Sequence, residues 1–435
     1  MYLQPILTVL ATLPVLSLAN TSPASPVPCK EIRLRKEWRS LTVDQRKKYI
    51  KSVQCMLTKA PKSKAHFPIV TNRYEDFVAL HANASAGGRD LRQSTGGFAG
   101  ALGGFGGSMN TGIHGTGTFL PWHRYVVWQY ESVLQDECGW DMGQPYWDWY
   151  LDTPAAGGSW LKSPLFDPES GFGGNGAKLK AGESGLKGFG AGFGTGGGCV
   201  VDGPFKDMKL HIGPGAVMKM GSERCLTRSF NIEAGEAAGS KEVVKDALAS
   251  KDFQTLRMAV EMPNITFTGG KIERHGGGFH NVGHGGVGGE MGDPFTSIND
   301  PIFFLHHTGI DRVWQMWQDQ DLQKRISDTG TGLTLKTPIW MGLEAPDRPV
   351  GDVMDIINRD GKGFLCYKYE TGSEEYFDKP AASGKPAGPV TSTTSAMSTS
   401  STTSTTIQAK SMTTARPPKA MGKGKGAVGP ATSRN

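Results

Sequence analysis

The chain has 435 residues, 37% hydrophobic and 20% charged, enough apolar material to bury a large core. Its formal net charge of +6 comes mostly from lysines and arginines beyond Pro380, in a segment with hardly any acids. That placement excludes a nucleic-acid reading of the basic balance. After the N-terminal segment no apolar run is long enough to span a membrane, so neither nucleic acid nor a bilayer is expected as a partner.

Residues 1–19 carry an apolar stretch from Ile6 to Leu18 with small residues at Ser17 and Ala19, the pattern of a secretory signal peptide cleaved after Ala19. Export suits the six cysteines, Cys29, Cys55, Cys138, Cys199, Cys225 and Cys366, which read as three disulfides with fifteen possible pairings. Closure of local loops favours Cys29–Cys55 and Cys199–Cys225, leaving Cys138–Cys366. Asn83-Ala-Ser and Asn264-Ile-Thr are glycosylation sequons, and Asn20-Thr-Ser sits at the new N-terminus.

The first helix is expected over Thr42–Thr58, where Thr42 and Gln45 form a capping box and Ile50, Val53 and Leu57 an apolar stripe. A short amphipathic helix runs from Tyr74 to His81. Residues 86–108 are Gly-rich and read as a surface loop. Pro121 to Glu137 places His123, Val127, Tyr130 and Leu134 on one stripe. A second Gly-rich excursion covers residues 157–198. Lys241 to Met262 reads as one helix. The stretch from Phe279 to Trp317 opens on His280 and His284 and reaches Asn299-Asp300-Pro301, with Asp300 as cap and Pro301 at the first helical position. From Pro380 onward Ser, Thr, Pro, Ala and Lys predominate, a composition that cannot fold. The organisation is one globular domain over residues 20–379 and a disordered tail over 380–435.

Ten histidines are present, and seven fall in two clusters on otherwise apolar segments. The first holds His81, His114 and His123; the second holds His280, His284, His306 and His307. A buried imidazole set without cysteine or carboxylate suits copper. Zinc in its metalloprotease form needs a glutamate directly after the first histidine of an i, i+4 pair, and Asn281 stands there. Of the adjacent pair, His307 is the expected ligand because Asp311, four residues on, is spaced to orient its ring.

Four motifs carry a resemblance: His-Gly-Thr-Gly-Thr-Phe-Leu-Pro-Trp-His-Arg (114–124), the Asp-Trp pair (148–149), His-Asn-x-x-His (280–284) and Asn-Asp-Pro-x-Phe-Phe-x-His-His-x-x-x-Asp-Arg-x-Trp (299–314). Together they resemble the type 3 copper proteins, and most nearly the short secreted fungal tyrosinases and catechol oxidases, over roughly residues 29 to 377. The resemblance implies a mainly α fold: a central antiparallel four-helix bundle housing a dinuclear copper site, with long Gly-rich loops and a few short strands. It also implies His81, His114 and His123 on one copper (CuA), His280, His284 and His307 on the other (CuB), and O2 as co-substrate. Small phenols are the implied substrates, with o-diphenols oxidised to o-quinones and monophenols hydroxylated first where a base deprotonates them. Asn281 and Glu261 match the positions that orient such a basic water, although the Gly-rich stretch between them is longer than the usual pattern. Tyr367-Lys-Tyr369 matches the motif that ends the catalytic core. Gly112 departs from the family, many of whose members have a cysteine there that crosslinks to a ligand ring; His114 is expected to be uncrosslinked. Arg124 and Arg312 are expected to pair with carboxylates, and His66, His211 and His275 to lie apart from the metal.

Three readings compete. The favoured one is a phenol or catechol oxidase, with an o-aminophenol oxidase as a variant using the same site. The second is a hemocyanin-like oxygen-binding protein, against which the absence of a folded covering domain argues. The third is a secreted structural glycoprotein without copper, against which six filled ligand positions argue.

Overall fold

Residues 29–87, 112–180, 183, 185, 194–215, 223–268, 271–342 and 344–370 are described by a computed structural model; over 263–277 only the backbone is considered. The expected signal peptide, the 380–435 tail, nearly all of the first Gly-rich excursion and residues 181–182, 184 and 186–193 of the second lie outside the described residues.

Helix α1 (Val43–Thr58) begins as its sequence dictates. The Thr42 hydroxyl accepts from Gln45 N and the Gln45 side chain accepts from Thr42 N, so two otherwise orphaned amides are paired. Helix α2 (Arg73–Ser85) is capped by Asn72, and every one of its residues is buried. Such a helix belongs inside a core and not on its surface. Helix α3 (Phe119–Cys138) matches the periodic run around His123.

The single helix expected from Lys241 to Met262 is two helices, α5 (Lys241–Leu248) and α6 (Phe253–Glu261), preceded by the short α4 (Ile232–Ala238). The break has a local cause. Asp252 takes an extended backbone and its carboxylate accepts from Thr255 N at 2.8 Å, starting a new helix instead of continuing the old one. Helix α7 (His280–Val287) and helix α8 (Ile302–Asp319) follow, then the single turn α9 (Leu322–Arg325). Pro301 is not the first helical residue but the N-cap of α8, which has no side-chain cap bond; Asp300, one place earlier, accepts from Ile302 N at 3.1 Å. The Asp300 carboxylate is also an anchor, because Arg228 grips it with Nε at 2.7 Å and Nη2 at 3.0 Å.

The strands are short and paired in twos. Strand β1 (Arg33–Arg35) pairs in parallel with the last strand, β10 (Tyr367–Tyr369). Between them lie β2 (Gly176–Lys178) with β3 (Gly197–Val200), β4 (Lys209–Leu210) with β5 (Arg224–Cys225), and β8 (Pro338–Ile339) with β9 (Arg348–Pro349). The hairpin β6 (Pro263–Thr268) with β7 (Lys271–Gly277) fills the long stretch between Glu261 and His280.

The chain is helix-rich with few short strands, and among the described residues no helix is long and apolar enough to cross a membrane. Aromatic side chains join the central helices. Tyr130 of α3 stacks on Phe304 of α8 with centroids 3.4 Å apart, and Phe77 of α2 meets both edge-on at 5.5 and 6.1 Å. Tyr74 of α2 donates its hydroxyl to Ile298 O at 2.7 Å, just before α8.

The disulfides are Cys29–Cys366, Cys55–Cys138 and Cys199–Cys225. Only the last agrees with the local-loop expectation. The parallel pairing of β1 with β10 carries Cys29 to Cys366, 337 residues away, and the packing of α1 against α3 carries Cys55 to Cys138. Tertiary pairing overrides sequence proximity here.

Candidate metal centre

Helices α2, α3, α7 and α8 and the turn before α3 send imidazoles to one interior region. His81 comes from α2, His123 from α3, His280 and His284 from α7, and His306 and His307 from α8. His114 sits in the turn between residues 112 and 118 and not on a helix. The ring nitrogens of His81, His114 and His123 lie within 4.8 Å of one another, and so do those of His280, His284, His306 and His307. The two groups touch: His123 and His307 stack with centroids 4.3 Å apart and an 11° interplanar angle.

Hydrogen bonds fix which nitrogen faces inward. The Nδ1 atoms of His81, His123 and His284 donate to backbone carbonyls of Phe295, Phe119 and Met291 at 2.7, 2.8 and 2.7 Å. Each ring is thereby locked as the tautomer whose Nε2 carries a lone pair. The Nε2 atoms of His81, His123 and His280 are buried without a partner among the described residues. His284 Nε2 and His307 Nε2 face each other at 3.3 Å. Lone pairs converging in a buried site are unfavourable unless a cation lies among them. Burial pushes the His81 and His284 pKa values down to about 4, and it drives His114, His123, His280 and His307 well below the usual range, with neighbouring imidazoles adding to the effect. All these rings are neutral at pH 7, as a metal ligand must be.

His306 belongs to the second group by distance but not by chemistry. The Trp149 indole N–H, which can only donate, gives its hydrogen bond to His306 Nδ1 at 3.0 Å. His306 therefore carries its proton on Nε2 and donates it to His280 O at 2.8 Å. Both of its ring nitrogens are committed to these hydrogen bonds.

The common central domain of tyrosinase matches residues 71–320 of this chain. The chain belongs to the tyrosinase family. It is 32% identical over 380 residues to Tyrosinase P of Aspergillus terreus, covering 79% of this chain and 94% of that protein. It is 29% identical over 380 residues to N-acetyl-6-hydroxytryptophan oxidase of Emericella nidulans, covering 78% and 92%. Among solved structures, a variant of the polyphenol oxidase of Thermothelomyces thermophila matches with a TM-score of 0.59 and 30% identity, covering 78% of this chain and 89% of that one. Family membership makes the protein an oxidoreductase of the type 3 copper tyrosinase family, whose members act on small phenols.

In this tyrosinase-family chain, Asp311 does not orient His307. Its carboxylate meets Arg124 Nε at 2.5 Å, Arg35 Nη1 at 3.2 Å and the Tyr367 hydroxyl at 2.5 Å, and it also accepts from Tyr369. Arg124 and Arg35 hold it below the usual carboxylate range against the opposing effect of burial. His307 Nδ1 has no partner among the described residues; its ring is aimed by packing on His123 and on Phe303, whose centroid is 4.2 Å away. Sequence spacing names the right helix face but cannot see Arg35 and Arg124 arriving from elsewhere.

Arg124 pairs with a carboxylate as expected. Arg312 lies over the Tyr146 ring at 5.0 Å and its charge acts on the buried Asp148 carboxylate, while its Nε and Nη2 have no hydrogen-bond partner among the described residues. His211 Nδ1 meets Glu75 at 2.6 Å, and His66 packs beside Phe67, both apart from the two groups. The side chain of His275 lies outside the described residues.

Glu261 and Asn281 are neighbours. The Asn281 amide donates to Glu261 O at 3.5 Å, while the Glu261 carboxylate accepts from Gly115 N at 2.6 Å and Arg257 Nη1 at 2.7 Å. Burial raises the Glu261 pKa to about 7, against the opposing pull of Gly115 N and Arg257. Gly115 directly follows His114, so Glu261 braces the turn that carries this histidine.

Proposed function

We propose that the protein is a copper-dependent phenol oxidase, with His81, His114 and His123 holding one copper and His280, His284 and His307 the other. The observation that carries this reading is the inward set of neutral imidazole lone pairs, three of them locked by backbone carbonyls. Their number and type suit copper, which imidazole binds well, and no thiolate or carboxylate stands among them. Two copper ions held in these seats would supply the two electrons needed to activate one O2 for phenol oxidation. Overall, two o-diphenols and one O2 give two o-quinones and two waters.

The chain's own groups shape what reaches the centre. Phe303 packs against His81, His123, His284 and His307, and Phe119 against His114, His123, His280 and His307, so the inner side is closed to water by aromatic rings. His114 and Asn281 are only partly buried, which favours the approach of a planar phenol from that side. Asn281 and Glu261 border it. A carboxyl with a pKa near 7 is suited to take a phenolic proton through a water held by the Asn281 amide. The three disulfides and the N-terminal segment support a secreted protein.

Rates on tyrosol, 4-methylcatechol and 2-aminophenol, measured side by side with copper analysis, test the proposal. Two coppers per chain with 4-methylcatechol oxidation is the expected result. Oxidation of 2-aminophenol alone assigns the o-aminophenol variant, and two coppers without turnover of any of the three assigns an oxygen carrier. Far less than two coppers per chain overturns the copper reading.

A further inference from the structure

We infer that Trp149 and His306 form a positioning relay that sets helix α7, and through it the CuB ligands His280 and His284. The inference rests on the copper assignment above.

Three observations converge on it. The relay runs in one direction, because indole N–H cannot accept: Trp149 Nε1 donates to His306 Nδ1 at 3.0 Å and His306 Nε2 donates to His280 O at 2.8 Å. The acceptor is the carbonyl of the first residue of α7, which is itself a ligand residue, so the bond fixes where that helix starts. The His306 ring is also the floor on which α7 lies. A Cβ placed on Gly283 would sit 2.4 Å from His306 Cγ, so only glycine lets the helix come this close. Finally, His306 stacks on His280 with rings 14° from parallel and centroids 5.8 Å apart, and Trp149 packs on Phe279 at 5.7 Å. The relay thus holds both the backbone and the ring of His280 and the residue before it.

A hydrogen bond to a ligand's backbone differs from the usual arrangement, in which the supporting group holds the ligand's other ring nitrogen. His280 is instead aimed through its main chain. Trp149 lies in the segment after α3 and His306 lies on α8, so the relay ties three separate parts of the chain to one half of the centre.

The test uses copper titration of the full-length apo protein against a chromophoric Cu(I) chelator, with the apo melting temperature as a second readout. Wild type is expected to bind two coppers; a lower stoichiometry would sink the copper assignment itself and not the relay. Trp149→Phe keeps an aromatic ring and loses the donor. His306→Phe loses both bonds. Each is expected to weaken one of the two coppers roughly 10–100-fold and leave the other unchanged. His306→Gln keeps an acceptor for Trp149 and a donor for His280 O, and it should recover most of the affinity that His306→Phe loses. Wild-type affinity for both coppers in Trp149→Phe and His306→Phe overturns the relay. So does a lowered apo melting temperature with no selective loss of one copper, or failure of the Gln variant to outperform the Phe variant.

Discussion

The Asp311 carboxylate lies 2.5 Å from the Arg124 guanidinium, one helical turn from a histidine that it does not touch. Arg35 and the two hydroxyls of Tyr367 and Tyr369 complete its surroundings, so α8, α3, β1 and β10 meet on one buried charge. Asp311→Asn leaves two buried guanidiniums without their shared anion. A stability loss of about 3–5 kcal/mol is expected from breaking such a buried pair. Because the carboxylate is not a partner of His307, copper per folded chain should stay at the wild-type value. Denaturant unfolding combined with metal analysis of the folded fraction checks both halves; selective copper loss at unchanged stability would restore the direct Asp311–His307 link.

A second network sets a pH dependence. Burial raises Glu37 from 4.5 to about 7 and Asp152 from 3.8 to about 6, with Arg39 between them opposing the shift. Raised folded-state values mean stability that is present below the unfolded pKa and lost as pH rises through the folded one. The buried imidazoles, with lowered values, work in the opposite sense, so only a difference isolates Glu37. The melting temperature of wild-type apo protein minus that of Glu37→Gln should therefore fall between pH 5 and pH 7 and level off above. A flat difference would show that Glu37 titrates as an ordinary exposed carboxyl.

Local chemistry made part of this architecture legible. The capping box at Thr42 and Gln45, the stripe through His123 and the pair His280 and His284 all depend on residues within a few positions, and the structure has each of them. The hairpin between Glu261 and His280 was equally open to reading: Asn264 to Thr268 alternates apolar and polar residues and runs into Gly269-Gly270, a tight-turn signal. The tautomer of His306 is different in kind. It is set by Trp149, 157 residues away, and no periodicity reports an indole donor at that distance. Arg35 claims Asp311 in the same non-local way, across 276 residues.

The same distinction ranks the disulfides. Cys29–Cys366 closes 337 residues and Cys199–Cys225 closes 26. Constraint of the unfolded chain grows with the logarithm of loop length, so replacing the first pair by serines should cost on the order of 5 kcal/mol against about 3 for the second. Equilibrium unfolding of the two double variants gives the order directly. An equal or reversed order would mean that the β1–β10 pairing persists in the unfolded chain.

Asn83 stands in a sequon, yet its side chain is fully buried within α2 and neither amide atom has a partner among the described residues. A glycan cannot occupy that interior. Peptide mass spectrometry of secreted protein, after enzymatic deglycosylation in 18O-labelled water, should find Asn83 unmodified. A glycan there would displace α2 from the core and with it the seat of His81.

Gly112 stands where the family resemblance leads one to expect a crosslinking cysteine. Its φ of +72° lies in the left-handed region, and an added Cβ would stand 2.1 Å from Ala84 O at the end of α2. Strain at such a φ alone costs about 1–2 kcal/mol, before the turn moves to relieve the overlap. The Thr116 and Thr118 hydroxyls bind Gly112 O at 3.1 and 3.4 Å, so the displacement passes along the turn to His114. Gly112→Cys is therefore expected to lower the melting temperature and copper retention without forming a thioether. Intact mass decides the chemistry, since a crosslink removes two hydrogens; a stabilised variant showing that loss would mean that the turn can accept the family's crosslink after all.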